Sequence, residues 1–547
     1  MPLNENWATL WEALADAQPD HFAVVVGERH VRWNELDQSA ARLASALAAR
    51  GVGRDAKIAQ FMYNCPEYLE SIYAAFKLRG VPVNVNYRYL APEVTHVLTN
   101  SDAEVLVFHG AFADTARAAA AASPTTRVLI QVDDGSPLLA GAEWYHDLIS
   151  AHPPAARIPR SGDDLLFLYT GGTTGLPKGV MWRHSDLFGA LAFTGYVSAG
   201  LEVPDTPFTV GAVAAELNAK GRSPVNLCAP PLMHGTALFL AISAFVLGGT
   251  VVLLGGRRFD PDELWSLVES EHVTQLSIVG DAFAAPLVEA LQLRSYDLSS
   301  VQRVVSTGAT LSSDHKRSLQ SAMPAMTIID MIGASEGGPF ALNVTLPGAT
   351  PGDTAVFTAT ANTVVLDDQT WTPLPRGSSQ PGVLAASGPM PIGYFKDAEK
   401  SAATFRQVGG TRYTMPGDYA TIDADGTVHL LGRGSVCINT GGEKVYPEEV
   451  EVAARLHPGV LDCVAVATPD PRFGSVVTLV ASLAETSSAD PVSEEQLTAH
   501  VRTLLASYKA PRHVVFVDSV YRSPSGKADY AWARDTAMAA LADHERR

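Results

Sequence analysis

The chain carries the stretch Tyr169-Thr-Gly-Gly-Thr-Thr-Gly-Leu-Pro-Lys178-Gly179 directly after a short apolar run. Glycines interleaved with threonines leave backbone N–H groups and hydroxyls free to converge, and Lys178 adds a positive charge. Such a loop can wrap a polyphosphate, and on composition alone a plain connection between two elements explains it equally well. It is not a Walker A loop, which requires Gly-Lys followed by Ser or Thr, because Pro177 precedes Lys178 and Gly179 follows it.

The bulk properties favour a large globular enzyme. A chain of 547 residues exceeds what one hydrophobic core supports, so we expect two or more domains. Hydrophobic residues make up 47% and charged residues 18%, which excludes a disordered or fibrous chain. Acidic residues outnumber basic ones by 58 to 40, for a net charge of −18, without any Lys/Arg cluster. We therefore expect no nucleic-acid partner.

The cysteines and the N-terminus indicate a cytoplasmic location. The chain has four widely separated cysteines without CxxC spacing, which argues against a zinc site and against a disulfide framework. The first twenty residues contain acidic side chains and only short apolar runs, unlike a signal peptide.

One apolar stretch, 237–254, is about long enough to cross a bilayer. Gly248, Gly249 and Thr250 interrupt it. We favour a buried helix over 237–247, a turn and a buried strand over 251–254, and expect no transmembrane segment.

The pattern along the chain predicts an α/β fold. Asn34 is placed to cap an early helix that carries an apolar stripe until Gly51 ends it. Short apolar runs then alternate with helical stretches, which predicts layered α/β subdomains with largely parallel strands. These runs are 165–169, 225–227, 251–254, 276–279, 301–305 and 326–331.

The later part of the chain has a different character. Residues 338–431 are rich in Thr, Pro and Gly and predict a smaller β-rich portion. Beyond Gly432, a helix over 447–456, a strand over 464–467, a polar linker over 485–492, a helix over 494–505 and a strand over 514–517 predict a small α+β domain.

Several polar segments lie where ligands would bind. His234 ends the segment Pro230-Pro-Leu-Met-His234, while 306–311 and 331–336 each follow a buried strand, the position at which open α/β sheets place ligands. Taken alone, His234 is more often a packed histidine, and Glu336 a carboxylate at a helix N-terminus. Likewise, Pro416-Gly-Asp418 is more often a β-turn, and Lys527 an exposed loop lysine.

Taken in order, these segments resemble the motifs of the adenylate-forming superfamily, which includes acyl-CoA synthetases, peptide-synthetase adenylation domains and firefly luciferase. Residues 169–179 look like its phosphate-loop signature, and the other motifs follow at the expected separations over nearly the whole chain. The stretches 83–88 and 438–444 look like bacterial fatty-acid and steroid-side-chain CoA ligases. The resemblance implies an adenylation domain over 1–432 and a mobile lid domain over 433–547.

The resemblance also implies the site residues. Lys527, Glu336 and His234 would be catalytic, with Mg²⁺ held by Glu336 and Thr173. ATP would contact Thr170, Gly171, Gly172, Thr173, Thr174, Lys178, Gly308, Ala309, Asp330, Met331, Ile332, Gly333, Ser335, Asp418 and Arg433. The acyl group would meet His234, Val279, Gly280, Gly308, Gly333 and Ala334. Coenzyme A would meet Gly441, Gly442, Glu443 and Lys444, and Ser435 would be the hinge.

Two positions depart from the family pattern. Ile332 stands where an aromatic residue commonly stacks on adenine, and Ser435 stands where the hinge usually carries Asp or Lys. The small residues among the pocket walls are consistent with a bulky or long acyl chain, and close packing explains small residues equally well.

The implied function is an ATP- and Mg²⁺-dependent acid:CoA ligase for a medium- or long-chain fatty acid or another bulky hydrophobic acid. Its partners would be the acid, ATP and coenzyme A, and we allow for a homodimer. Two alternatives stay open at this point: an acyl-AMP ligase that transfers to a carrier protein, and a nucleotide-binding relative without turnover.

Overall fold

The computed structural model describes residues 3–172, 175–197, 199–309, 311–349, 356–433, 436, 438–440, 443–470, 474–484, 492–505, 507–522 and 528–545. The chain divides into two compact units. The first unit comprises Met1–Ala355, Ser387–Gln407 and Arg412–Thr414, and the second comprises Val356–Ala386, Val408–Thr411 and Met415–Arg547. The domain boundary after residue 432 stays a prediction.

The first unit contains two sheets. The central sheet runs in the order Arg29–Arg32, Phe22–Val26, Thr250–Leu253, Val225–Cys228, Gln275–Ile278, Arg303–Thr307, Thr327–Ala334, Gly337–Thr345. We call the second sheet the loop sheet, because it contains the glycine- and threonine-rich stretch 169–179. Its strands run in the order Gly393–Tyr394, Gly175–Arg183, Leu165–Gly172, Val81–Asn84, Lys57–Phe61, Ala103–His109, Val128–Val132, Glu143–Trp144.

Helices separate these strands along the chain. They span Trp7–Ala17, Trp33–Ala49, Pro66–Lys77, Ala91–Ser101, Ala113–Ala121, Tyr145–Ala151, His184–Ala192, Pro207–Ala219, Gly235–Val246, Pro261–Ser270, Gly280–Leu293, Ser313–Ala322 and Ala398–Thr404. Short 3₁₀ and π turns occupy Gly110–Phe112 and Phe193–Val197. This alternation confirms the predicted α/β class.

The middle of the central sheet is parallel, as the apolar runs predict. Val225–Cys228 pairs in parallel with both Thr250–Leu253 and Gln275–Ile278, and the ladder continues to Thr327–Ala334. A strand that is buried on both faces has a continuous run of apolar residues, so these strands could be predicted from the sequence. The run at 165–169 differs, because it belongs to the loop sheet and pairs antiparallel with the next strand.

The apolar stretch at 237–254 folds as predicted. A helix spans Gly235–Val246 and a buried strand spans Thr250–Leu253. Within the described part of the chain, no helix is long and apolar enough to cross a membrane.

The early helix begins at Trp33, one residue before Asn34, the residue predicted to cap it. It spans Trp33–Ala49 with Arg32 as the N-cap residue, and Glu35 accepts from the Arg32 backbone N–H at 2.8 Å. Asn34 is therefore inside the helix and does not cap it. The predicted stripe of Leu36, Ala40, Leu43 and Leu47 is fully buried, and Gly51 follows the helix at a φ of +72°.

The second unit contains a β-rich part and an α+β part. Strands Phe357–Ala359, Thr363–Leu366, Gly382–Ala386, Asp418–Ile422 and Thr427–Arg433 form the first. Strands Ile438–Thr440, Glu443–Val445, Val460–Asp470, Gly474–Leu483 and His513–Phe516 with helices Pro447–Arg455, Glu494–Leu504 and Tyr530–Glu545 form the second. Two further strands, Phe405–Val408 and Thr411–Thr414, straddle the sequence boundary of the units.

A histidine at the start of one helix is buried without charge. The side chain of His184 is fully buried, and its Nδ1 accepts from the backbone N–H of Trp7 at 3.0 Å. Its ring meets Phe76 edge-on at 4.4 Å between centroids. Burial disfavours the charged imidazolium and lowers the pKa of His184 from 6.5 to about 4.

This burial makes stability depend on pH. Because the folded pKa lies below the unfolded value, the stabilisation is complete above pH 6.5 and is lost as the pH falls towards 4. We expect His184→Asn to flatten the fall in unfolding free energy between these pH values by up to about 3 kcal/mol, measured by urea unfolding at several pH values. His146→Asn, at a histidine that is 61% exposed, is the control and should leave the slope unchanged. Equal slopes in wild type and His184→Asn would contradict the expectation.

Candidate active site

The glycine- and threonine-rich stretch forms part of a β-hairpin. Leu165–Gly172 and Gly175–Arg183 pair antiparallel, with Thr170 opposite Lys178 and Gly172 opposite Gly175. Thr173 and Thr174 lie outside the described residues. A Cβ at Gly179 would come within 2.6 Å of the Tyr169 ring, so the hairpin excludes a side chain there.

One buried amide ties this hairpin to the segment that precedes His234. The side-chain oxygen of Asn84 accepts from the backbone N–H of Tyr169 at 2.6 Å. Its side-chain nitrogen donates to the carbonyls of Tyr169 at 2.9 Å and Met233 at 2.7 Å. Because unpaired buried peptide groups are costly, Asn84 fixes these two segments relative to each other.

His234 itself is the N-cap residue of helix Gly235–Val246. The start of this helix lies against both neighbouring motifs, since a Cβ at Gly235 would lie 2.7 Å from Leu168 and 3.6 Å from the Ser335 hydroxyl. The indole N–H of Trp182 donates to the Ser335 carbonyl at 3.0 Å. The structure thus brings together the hairpin, the His234 segment and the 335–336 turn.

Glu336 lies in the turn between Thr327–Ala334 and Gly337–Thr345, not at a helix N-terminus. The hydroxyl of Tyr394 donates to its Oε1 at 2.7 Å, and the Thr414 hydroxyl donates to its backbone carbonyl at 2.7 Å. The Tyr394 hydroxyl therefore holds the half-buried carboxylate, and the Thr414 hydroxyl holds the backbone of the same residue.

The ammonium of Lys178 is also held. Its Nζ donates to Asp397 Oδ2 at 2.7 Å, with the two side chains 44% and 30% exposed. The other oxygen of Asp397 accepts from the backbone N–H of Lys400 at 2.9 Å and caps helix Ala398–Thr404. The hydrogen bond from Lys178, followed by that from Lys400, lowers the pKa of Asp397. Lys178 and Asp397 therefore form an ion pair at neutral pH.

Several residues predicted to line the acyl pocket lie next to residues of neighbouring strands and helices. Gly308 has a φ of +90°, and a Cβ there would lie 3.7 Å from Val279 Cγ1 and 3.8 Å from the Thr236 hydroxyl. A Cβ at Gly333 would lie 3.7 Å from the Thr307 hydroxyl, and the backbone N–H of Gly280 donates to the Ser306 hydroxyl at 3.1 Å. A methyl group at Gly308 would therefore touch Val279 and Thr236, and one at Gly333 would touch Thr307, at ordinary contact distance.

Asp330 is buried, whereas the residues that follow it in the chain are at least partly exposed. Its carboxylate is buried and lies 3.0 Å from Lys316 Nζ, which also donates to the Asn343 side chain at 2.8 Å. Burial raises the pKa of Asp330, and Lys316 opposes that rise. Ala309, Met331, Ile332, Gly333, Ala334 and Ser335 are partly or fully exposed. Asp330 thus lies beneath this surface, within an ion pair.

In the second unit, Asp418 begins strand Asp418–Ile422 and stands opposite Arg433 in the register. The neighbouring Tyr419 hydroxyl donates to Asp368 at 3.1 Å. Glu443 and Lys444 belong to a strand that pairs with Ile438–Thr440. Ser435, Gly441, Gly442 and Lys527 lie outside the described residues.

The residues that hold the charged groups, Tyr394 and Asp397, were not predicted from the sequence. Tyr394 and Asp397 lie more than fifty residues from Glu336 and more than two hundred from Lys178 along the chain. Strand Gly393–Tyr394 brings them in, by pairing with Val180 and Met181 of the hairpin. A local sequence pattern carries no signal for such a long-range contact. Asn84 lies in the stretch 83–88 that resembles bacterial CoA ligases, but the sequence did not predict its hydrogen bonds.

The described residues contain no cluster of three or more His, Cys, Asp or Glu side chains able to hold a metal ion. The arrangement instead offers one anchored carboxylate, Glu336. A hard cation that brings its other oxygen ligands from phosphate or water can bind to a single carboxylate.

Known proteins match this chain over nearly its full length. Residues 11–395 match the sequence model of the AMP-binding enzyme family, and residues 449–527 match that of the AMP-binding enzyme C-terminal domain. The chain is 39% identical to a medium/long-chain-fatty-acid–CoA/3-oxocholest-4-en-26-oate–CoA ligase of Mycolicibacterium smegmatis, covering 98% of this chain and 97% of the relative. It is 37% identical to the 3-oxocholest-4-en-26-oate–CoA ligase of Rhodococcus rhodochrous, covering 97% and 95%.

Solved structures share the fold. An anthranilate CoA ligase in complex with anthranoyl-AMP superimposes with a TM-score of 0.80 at 23% identity, covering 99% of both chains. ATP-bound MatB from Rhodopseudomonas palustris superimposes with a TM-score of 0.77 at 26% identity, covering 97% of this chain and 98% of the other.

Proposed function

The chain belongs to the AMP-binding enzyme family, and from that premise we propose that it is an ATP-dependent carboxylic acid:CoA ligase. A carboxylate oxygen attacks the α-phosphorus of ATP, the bond to pyrophosphate breaks, and an acyl-adenylate forms. The thiol sulfur of coenzyme A then attacks the acyl carbon, and AMP leaves. The observation that carries the proposal is the convergence of the glycine-rich hairpin, His234 and the anchored Glu336 within the first unit.

The hairpin and Glu336 would receive the triphosphate. The threonines of the loop and the ammonium of Lys178 suit phosphate oxygens, because donors and positive charge stabilise the anion. Glu336 would hold Mg²⁺, for which an oxygen ligand kept in place by the Tyr394 hydroxyl is well suited, with Thr173 as a second ligand. When bound, the cation would neutralise phosphate oxygens as charge shifts towards pyrophosphate.

The nucleoside would contact the residues that the family resemblance assigns to adenine and ribose. Ile332 would offer adenine an apolar face together with Ala309, Met331 and Gly333. The two carboxylate oxygens of Asp418 can accept from both ribose hydroxyls, which one neutral acceptor cannot do. Arg433 would contact the same nucleotide, while Asp330, paired with Lys316, would support the strand from below.

The acid would be a medium- or long-chain fatty acid or another bulky hydrophobic acid. The small residues Gly308, which lies beside Val279, and Gly333 support this, and so do the substrates in the names of the two relatives. His234 would position the carboxylate at the mouth of the predicted acyl pocket. Gly280 and Ala334 complete the small-residue wall.

The lid domain over 433–547 would supply the remaining groups. Lys527 would place its ammonium between the carboxylate and the α-phosphate during adenylation. Rotation about Ser435 would then bring Gly441, Gly442, Glu443 and Lys444 to the site to guide coenzyme A. A cytoplasmic location and a homodimer stay predictions.

A ligase that transfers to a carrier protein is the alternative for the second step. It would form the acyl-adenylate and leave free coenzyme A unreacted. Acyl-CoA formation with free coenzyme A therefore separates the two functions.

We expect Lys527→Ala to lower acid-dependent pyrophosphate release by about 100-fold or more, because it removes charge from the adenylation transition state. Thioester formation from a synthetic acyl-adenylate should be retained. Pyrophosphate release and coenzyme A-dependent AMP release are measured with short, aromatic, long-chain and steroidal acids. Lys220→Ala, in an exposed pair with Glu216, is the control and should keep full activity. If no acid gives Lys527-dependent release, the ligase function is wrong.

We expect Gly333→Val to change acid selectivity. A side chain at this position meets only the Thr307 hydroxyl at ordinary contact distance, so the variant should fold, yet it narrows the predicted pocket. The ratio of kcat/KM for long or steroidal acids to that for short acids should fall about tenfold. Gly53→Val, where a Cβ meets no atom within 4 Å, is the control. An equal loss for short and long acids would count against a pocket wall at Gly333.

A further inference from the structure

We propose that Asp397 is a latch for the hairpin lysine: it competes with the phosphates of ATP for the ammonium of Lys178 and thereby weakens ATP binding. The proposal deepens the proposed function, on which it rests. It concerns a residue outside the predicted ATP-binding set.

The contact is specific in its geometry. Lys178 Nζ and Asp397 Oδ2 are 2.7 Å apart, a normal distance for a charge-assisted hydrogen bond. Asp397 cannot follow the lysine far, because its second oxygen caps helix Ala398–Thr404 through the Lys400 N–H. The backbone N–H of Phe395 also donates to the Gly179 carbonyl at 2.9 Å, which ties the Asp397 segment to the hairpin next to Lys178. The carboxylate is therefore fixed, and the lysine is the partner able to move.

The strength of the pair suits a latch. With the side chains 44% and 30% exposed, the pair belongs to the solvent-screened class that changes an equilibrium by at most about fivefold. A triphosphate carries several negative charges and can displace such a partner. Removing the carboxylate charge leaves the lysine free to bind the phosphates.

Asp397→Asn is the sharpest test, because asparagine keeps the N-cap acceptor and removes only the charge. We expect the Kd for ATP, measured by calorimetry with Mg²⁺ and without acid, to fall about three- to fivefold at low salt. Since salt screens exposed charges, this gain should shrink at 0.5 M NaCl. Because an exposed pair contributes at most about 1 kcal/mol to folding, the melting temperature should fall by no more than about 2 °C.

Two control variants isolate the latch from a general charge effect. Asp102 forms an ion pair of the same length, 2.7 Å, with Lys396, the residue beside Asp397, and both side chains are 45% exposed. Asp102→Asn removes the same charge nearby and should leave the Kd for ATP unchanged. In a Lys178→Gln background, Asp397→Asn should also have no effect.

The outcomes separate the latch from the proposed function. Unchanged or weaker ATP binding by Asp397→Asn overturns the latch while the ligase activity stands. Equal tightening in Asp102→Asn, or in the Lys178→Gln background, also overturns it. If the wild-type protein does not bind ATP, the proposed function fails and the latch fails with it.

Discussion

The hairpin Leu165–Arg183 is the constraint on which the site depends. Its antiparallel register places Thr170 opposite Lys178, and each neighbouring segment is tied to it by a specific polar contact. Asn84 joins it to the segment before His234, Trp182 joins it to the 335–336 turn, and Gly393–Tyr394 pairs along its edge. Because all these contacts use one hairpin, a shift of its register would displace the phosphate loop, the histidine segment and the acidic turn together.

The charged groups of the first unit are restrained one by one. Glu336 accepts from Tyr394, Lys178 donates to Asp397, and Asp330 is paired with Lys316 beneath the surface. Groups that are fixed before the ligand arrives need little reorganisation when charge develops, and that is the main source of electrostatic catalysis. The three partners differ in burial, so the exposed Lys178–Asp397 pair is the one a phosphate can exchange with most readily.

The sequence predicts this fold well where the pattern is periodic. The sequence predicts the parallel strands of the central sheet, the buried helix before Thr250 and the apolar stripe on Trp33–Ala49. Burial on both faces of a strand gives a continuous apolar run, and burial of one helix stripe gives a periodic one. The predicted cap at Asn34 was wrong, because Arg32 is the N-cap residue and the Glu35 carboxylate accepts from its backbone N–H. Strand Gly474–Leu483 and helix Tyr530–Glu545 were missed, and so were Tyr394 and Asp397, whose contacts arise only when distant strands pair.

The central claim is that the acid is activated by bonding to the α-phosphorus of ATP. A carboxylic acid labelled with ¹⁸O in both oxygens tests it most directly, with mass analysis of the nucleotide after one turnover in the presence of coenzyme A. If the carboxylate attacks the α-phosphorus, AMP should carry one ¹⁸O atom, because the oxygen that bridged the acyl group and phosphorus leaves with AMP. Unlabelled AMP, or label found in pyrophosphate or inorganic phosphate, would contradict it.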